Sequence, residues 1–337
     1  MKTPLSEQVI VVLGASSGIG RATARAAATH GAKVVVGARN REALEAAVSE
    51  IERAGSEAIA VTTDTTSPAE LESLCTGAVE RFGRIDSFVA SVMVTVYAEV
   101  EELDPEELRR VLEVNFLGRA LAYRAALPHL KVSRGTFVDV NSGLAYRGIP
   151  LQAAYCASKA AARAFFESAR TEQEKHRTGV DISLVLPGGV NTPHFDRGRQ
   201  KLGKQPQPVP PIYQPEVIAE AILHCCERPQ RELAVSWGAQ KLLWGQKFSP
   251  RAGDLILLRS GWKEQTTGEP KPVDSPDNLY ETIPGDPGAH GRFDARSKGS
   301  SAWADARLRL GKVGSVVALL APLGLGLIGY HGITKRR

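Results

Sequence analysis

The sequence predicts an α/β protein built on a doubly wound parallel sheet of about seven strands, followed by a C-terminal extension. Three observations carry this. Seven apolar, β-branched runs recur through the first 237 residues, amphipathic helical patterns lie between them, and a glycine-rich turn follows the first run and opens the first helix. Runs without polar alternation suit strands buried on both faces of a parallel sheet, and repeated strand–helix alternation gives right-handed crossovers.

The strands are expected at 8–14 (QVIVVLG), 32–38, 57–63, 85–91, 135–141 (GTFVDVN), 180–186 and 231–237. The helices are expected at 19–30, 41–54, 68–82, 105–130, 152–175 and 215–228. The 337 residues, 43% hydrophobic, suffice for one large α/β domain, taken as 6–240, plus further segments. The net charge of +5 is mild and its cations lack interleaved aromatics, which argues against a nucleic-acid partner. Cys75, Cys156, Cys225 and Cys226 form no CxxC motif and have no His at ligand spacing, so reduced, partly buried thiols in a cytoplasmic compartment are expected, and no metal site. The N-terminal MKTPLSEQ has no apolar core of the signal-peptide kind, which keeps the catalytic part on the cytosolic side.

The first strand–helix turn reads LGASSGIGRA. Gly14 permits the tight turn, Gly18 lets the backbone approach a pyrophosphate, and Gly20 allows close helix packing, while the helix N-terminus offers free N–H groups. In this context the turn reads as a dinucleotide site; the bland alternative is a glycine turn without a ligand. At the end of the second strand, where an NAD site places a carboxylate for the ribose 2′-OH, the chain has Arg39, and Arg21 follows the glycine turn. Two guanidiniums near a 2′-phosphate favour NADP(H), with NAD(H) as the alternative cofactor. Otherwise they are solvated surface arginines.

LQAAYCASKAA (151–161) places Tyr155 and Lys159 one helical turn apart on one face. The pair is either a tyrosine stem packed near a solvated lysine or a proton donor with a lowered pKa. Ser142 lies thirteen residues before Tyr155, just after the strand GTFVDVN. With GASSGIG at 14–20, Asp64, Asn115 in EVNFLG, Ser142, YCASK at 155–159 and PGGVNTP at 187–193 in order, the chain over about residues 6–240 resembles the short-chain dehydrogenase/reductase family. The resemblance implies a Rossmann-type fold and a hydride transfer between a nicotinamide and a carbonyl or secondary alcohol carbon, acting on a small-molecule substrate. A non-catalytic, dinucleotide-binding scaffold or sensor is the alternative function.

The same resemblance assigns roles. Tyr155 is the general acid or base, with Lys159 and the oxidised nicotinamide lowering its pKa from near 10. Ser142 bonds the substrate oxygen, and Asn115, within helix 105–130, holds a water linking Lys159 to solvent. Ser16, Ser17 and Ile19 join Gly14, Gly18, Gly20 and Arg21 at the phosphates. Asp64 and Thr65 meet the adenine, and Ala90 the adenosine ribose. Lys159 and Tyr155 meet the nicotinamide ribose, Thr192 the carboxamide, and Pro187, Gly188 and Val190 shape the nicotinamide pocket. One stretch departs: where the family usually reads NNAG, this chain has Ala90, Ser91, Val92 and Met93, losing an Asn that steadies neighbouring strands.

Beyond the common core, Arg197, Arg199, Lys201 and Lys204 precede four prolines in 206–211, either as a basic lid for an acidic or membrane-associated substrate or as a flexible, solvated loop. Residues 241–263 are expected as helices docked on the domain or on a membrane surface. Residues 264–304, rich in Pro, Gly, Asp and Ser, are expected as an irregular linker, with His290 a turn residue. Residues 305–337 are expected as an apolar C-terminal helix. Its segment 313–333 has no charged residue over 21 positions and is flanked by Arg307, Arg309 and Lys312 and by Lys335, Arg336 and Arg337. It is read as a membrane tether beside a lipophilic substrate, against the alternative of a packed or dimer-interface helix. The family habit implies a homo-oligomer through helices 105–130 and 152–175.

Overall fold

A computed structural model describes residues 2–309. Its centre is a parallel sheet with strands β1 (Val9–Leu13), β2 (Lys33–Ala38), β3 (Ala58–Thr62), β4 (Ser87–Ala90), β5 (Thr136–Val140), β6 (Asp181–Leu186) and β7 (Glu232–Ala234). Their order is β7-β6-β5-β4-β1-β2-β3, and every neighbouring pair runs parallel. All seven expected strands form, each a residue or more shorter at its ends than its apolar run.

Their continuous apolar character has a direct cause. In β1, Ile10 and Val12 pack into one core with Ala24 and Ala27 of α1 (Gly18–Thr29) and Leu44 of α2 (Arg41–Arg53). Val11 and Leu13 pack into the opposite core with Leu71 and Leu74 of α3 (Pro68–Phe82), reaching Tyr123 and Phe166. A strand covered on both faces has no place for alternating polar residues. Local signals set the helix starts. Asn40 accepts the N–H of Ala43, Ser67 that of Glu70, and Asp104 and Glu107 form a capping box around Pro105. The remaining helices of this core are α6 (Ala153–Lys175) and α7 (Pro215–Glu227).

The single helix expected over 105–130 is divided. A π-helical turn at Glu113–Leu117 separates α4 (Pro105–Leu112) from α5 (Gly118–Ser133). Asn115 sits in this turn, fully buried, and its amide exchanges hydrogen bonds with both backbone groups of Val94. A widened turn gives the side chain a backbone partner that a regular helix would not.

After β7, α8 (Trp237–Phe248) and α9 (Pro250–Ser260) do dock on the domain. Ser236 caps α8, and Arg147 reaches Gln246 and Asp254 at the α8–α9 junction. The linker expected over 264–304 is instead fixed to the domain. Thr266–Pro270 pairs antiparallel with Lys204–Pro206, and Ser297–Lys298 pairs in parallel with Ile212–Tyr213. Leu279 and Phe293 are buried. Pro and Gly break helices but do not prevent an extended chain from finding backbone partners and apolar sockets. A helix begins at 302, its Trp303 packed on Trp237 and Trp244. Among the described residues no helix is long and apolar enough to cross a membrane; the segment 313–333 lies outside them.

The basic loop is ordered as well. Arg199 pairs with Asp277 and Glu107, Lys201 with Asp104 and Glu107, and Arg197 donates to the Ile283 carbonyl. These cations hold chain segments together, so the flexible loop and the basic lid are both set aside. The four cysteines are free, and all four are buried rather than partly so. His290 lies beside Glu216 and Asp294.

Candidate active site

The sheet order reverses between β1 and β4, and a cavity of about 700 Å³ opens beyond the carboxyl ends of the strands there, as doubly wound sheets predispose. Its floor on one side is the glycine turn. Gly14 has φ +92°, and a Cβ there would lie 2.8 Å from the backbone of Ser91 and Val92. Gly18 has φ +56°, and its Cβ position is 3.1 Å from Thr192 Cγ2. Gly14, Ser16, Ser17, Gly18 and Ile19 line the cavity. Gly20 does not; a Cβ on it would fall 2.1 Å from the Gly14 carbonyl oxygen, so its part is packing.

Along the cavity lie Arg39, Asp64 and Thr65. Burial pushes the Asp64 carboxyl up, but the backbone N–H and hydroxyl of Thr66, with Arg39 and Arg110, hold it below its usual value. The Thr65 hydroxyl is buried without a partner. Arg39 reaches the cavity, yet its guanidinium donates to the carbonyls of Asn278 (3.0 Å) and Tyr280 (2.6 Å).

Besides Gly20, two expected cofactor residues lie elsewhere. Arg21 is buried, paired with Glu50 and Asp286 and bonded to the Ala43 carbonyl, so its donors are directed away from the cavity and into the joint between α1, α2 and the C-terminal segment. Ala90 is enclosed at the end of β4, where its carbonyl accepts from Arg119; Ser91, Val92 and Met93 take the lining positions instead. Asn115 likewise is directed at Val94 and Ser158, outside the lining.

At the other end, Ser142, Tyr155, Lys159, Pro187, Gly188, Val190 and Thr192 come to the same cavity. The Ser142 Oγ accepts the N–H of Leu144. Lys159 is 1% exposed, donates to the Val140 carbonyl (2.9 Å), and its Nζ is 5.5 Å from the centre of the Tyr155 ring. Burial, aided by the nearby Arg119, holds the Lys159 ammonium well below its ordinary value against the pull of Asp139. The Tyr155 phenol is pushed up to about 12. Burial dominates, and the Ser142 hydroxyl and Arg119 pull back only part of it. Burial thus disfavours the charged form of each of the two groups.

Four residues escaped sequence reasoning. Arg119, buried on α5, bonds Asp139 and the carbonyls of Ala90, Val92 and Val140. It steadies the ends of β4 and β5, the task for which the missing Asn was expected. An aspartate inside the apolar run GTFVDVN was the available signal, since a charge in a doubly covered strand needs a buried partner. Tyr97 and His194 face the substrate end, with Tyr97 Oη 3.3 Å from His194 Nε2. Burial drives Tyr97 well above 10, with Tyr155 adding to it. Burial, then Lys271 and Lys159, take His194 down to about 4. The rest of this end is mainly apolar, with Leu144, Ile149, Val209, Leu242 and Leu257. Among the described residues no three His, Cys, Asp or Glu side chains are placed to hold a metal ion.

Comparison with known proteins agrees with this geometry. The sequence pattern of the short chain dehydrogenase family matches residues 8–203. An uncharacterized oxidoreductase of Bacillus subtilis, YxnA, is 34% identical over 280 residues, covering 82% of this chain and 79% of the relative. The 2,5-dichloro-2,5-cyclohexadiene-1,4-diol dehydrogenase LinX of Sphingobium indicum is 32% identical over 57% of this chain and 77% of its own. An alcohol dehydrogenase of the archaeon Thermococcus sibiricus, solved with 5-hydroxy-NADP, is 31% identical and superposes with a TM-score of 0.57 over 64% of this chain and 88% of its own.

Proposed function

Because the chain belongs to the short-chain dehydrogenase family of oxidoreductases, we propose that it interconverts a lipophilic carbonyl compound and its secondary alcohol using NADP(H), with Tyr155 handling the proton. The observation that carries this reading is the convergence of Ser142, Tyr155 and Lys159 on one cavity with the Gly14–Ile19 turn.

The residues fit a dinucleotide. The glycine turn lines the cavity along Gly14–Ile19, the unpartnered Thr65 hydroxyl awaits a bond, and Lys159 has spent one of its three donors on Val140. When bound, such a cofactor supplies or accepts the hydride. The protein's part is positional and protonic. Ser142 and Tyr155 hold the substrate oxygen, and a phenol kept protonated by its dry surroundings donates to the oxygen that forms in reduction. Arg39 at the rim, with no carboxylate at that strand end, supports NADP(H) over NAD(H). The mainly apolar lining, with the polar pair Tyr97–His194 within it, supports a lipophilic substrate bearing a second oxygen. The residues 313–333 would tether the protein at a membrane that holds such compounds.

The test is Tyr155→Phe, assayed with a panel of ketones and aldehydes. Turnover should fall by about 10²-fold or more, while binding of NADPH stays and exceeds that of NADH. Equal turnover in the variant removes Tyr155 from the mechanism. A wild-type protein that binds NADPH yet turns over no carbonyl compound marks a scaffold or sensor.

A further inference from the structure

The chain after α9 passes across the cofactor end of the cavity in one continuous, anchored strap. Gln200 grips its start by donating to the carbonyls of Lys271 (3.1 Å) and Pro272 (2.9 Å), and Arg199 holds Asp277 at 2.8 Å. Leu279 is 0% exposed, seated among Val94, Val96, Val111 and Val114, and Arg110 bonds its carbonyl. The strap then tracks the strand ends. Arg39 bonds the carbonyls of Asn278 and Tyr280, and Asn40 those of Ile283 (3.2 Å) and Gly285 (3.0 Å), while Glu42 accepts the Gly285 N–H. Asp286 pairs with Arg21, and the Gly288 carbonyl accepts the N–H of Gly18 at the start of α1. It ends at Phe293, buried, whose N–H bonds Asn191 Oδ1 (3.0 Å) beside Thr192. Asn278, Thr282, Ile283 and Pro287 line the same cavity as Asp64 and the glycine turn.

We infer that the strap, residues 277–293, is an integral wall of the dinucleotide site, and that the cofactor enters and leaves only when the strap lifts. The inference rests on the dinucleotide reading above. A doubly wound sheet alone leaves the strand ends open to solvent along the cofactor. Here the segment covers the adenosine end at Arg39, the phosphate turn at Gly18 and the nicotinamide end at Asn191. Exchange then requires several hydrogen bonds and the Leu279 plug to part together, which slows release more than it changes entry into an already lifted state. Asn278, whose buried side-chain oxygen has no partner, and Thr282 line the cavity as residues that the core fold does not contain.

Two measurements test this. In the first, NADPH bound to full-length protein is displaced by excess NADP⁺ in a stopped-flow cell and followed by its fluorescence. The variants Leu279→Ala and Asp277→Ala loosen the strap at anchors outside the cavity lining, and circular dichroism checks that each is folded. Release should speed at least 10-fold in both. In the second, hydrogen exchange of wild-type protein is compared with and without NADPH, and the amides of 278–288 should slow along with those of Gly18 and Ile19. Equal release rates in wild type and folded variants overturn the strap inference and leave the dinucleotide reading standing; so does slowing at Gly18 and Ile19 without any at 278–288. Absence of binding by NADPH and NADH alike overturns the dinucleotide reading and the strap inference with it.

Discussion

His194 enters the cavity from the helical turn His194–Arg197 and meets Tyr97. Its imidazole is held neutral, with a value depressed from 6.5 to about 4 by burial and by Lys271 and Lys159. The sign of the consequence follows from linkage. Between pH 6.5 and 4 the unfolded chain takes up a proton at this position and the native chain does not, so native stability falls as pH drops through that window. His194→Gln should remove this part of the acid sensitivity. Urea midpoints at pH 7 and pH 5 measure it, and the wild type should lose more stability between them than the variant. Parallel losses would show that His194 is not the group responsible. The neighbouring Arg119–Asp139 pair is of a different kind. Both charges are buried: Arg119 donates to Asp139 and to strand-end carbonyls, and Asp139 accepts from Arg119 and the Asn141 amide, so removing one partner would leave the other uncompensated.

The glycine turn and the strap are the elements that make the cofactor end. Gly20 is fixed by backbone rather than by a ligand, because its Cβ position lies 2.1 Å from a carbonyl oxygen that cannot rotate away. Gly20→Ala should push α1 off β1, with a stability loss of about 1–3 kcal/mol and a loss of NADPH binding. Gly83, which ends α3 with φ +83° and has nothing within 4 Å of its Cβ position, is the control. Gly83→Ala should cost about 1–2 kcal/mol of stability and leave NADPH affinity unchanged. Calorimetric titration with thermal melts separates the two. Wild-type affinity in Gly20→Ala would show that the turn tolerates a methyl and that its spacing is not what shapes the site.

For the molecule as a whole, the described residues form one catalytic domain, with α8, α9, the strap and the helix from 302 all packed against it. Trp303 and Ala304 belong to that packing, so a truncation that tests the tail should fall after Arg309. Full-length protein is expected in the membrane pellet and the truncated protein in the supernatant. Full-length protein that stays in the high-speed supernatant without detergent would overturn the tether proposed for 313–333. The proposed homo-oligomer through α4, α5 and α6 is read in the same preparations by sedimentation.

The sequence by itself determined the seven strands, most of the helices between them and the pairing of Tyr155 with Lys159, because burial on both faces forces continuous apolar runs and a helical turn forces Tyr155 beside Lys159; Ser142 joined them only through the family resemblance. These are local constraints, readable from neighbours in the chain. It could not determine which arginine meets a cofactor. Arg21 and Arg39 look alike in sequence, yet Glu50, Ala43 and Asp286 take the donors of the first, and the strap carbonyls take part of the second. Nor could it show how far burial would push up the Tyr155 phenol, since a desolvation cost depends on everything packed around it. The segment 264–304 is the plainest case. Its Pro and Gly content excludes regular helix and says nothing about tertiary partners, and only the fold brings Gln200, Asn40, Arg39 and Asn191 to its backbone and the Val94–Val114 socket to Leu279. A chain that makes its bonds to residues some seventy to more than two hundred positions away leaves no periodic trace in its own sequence.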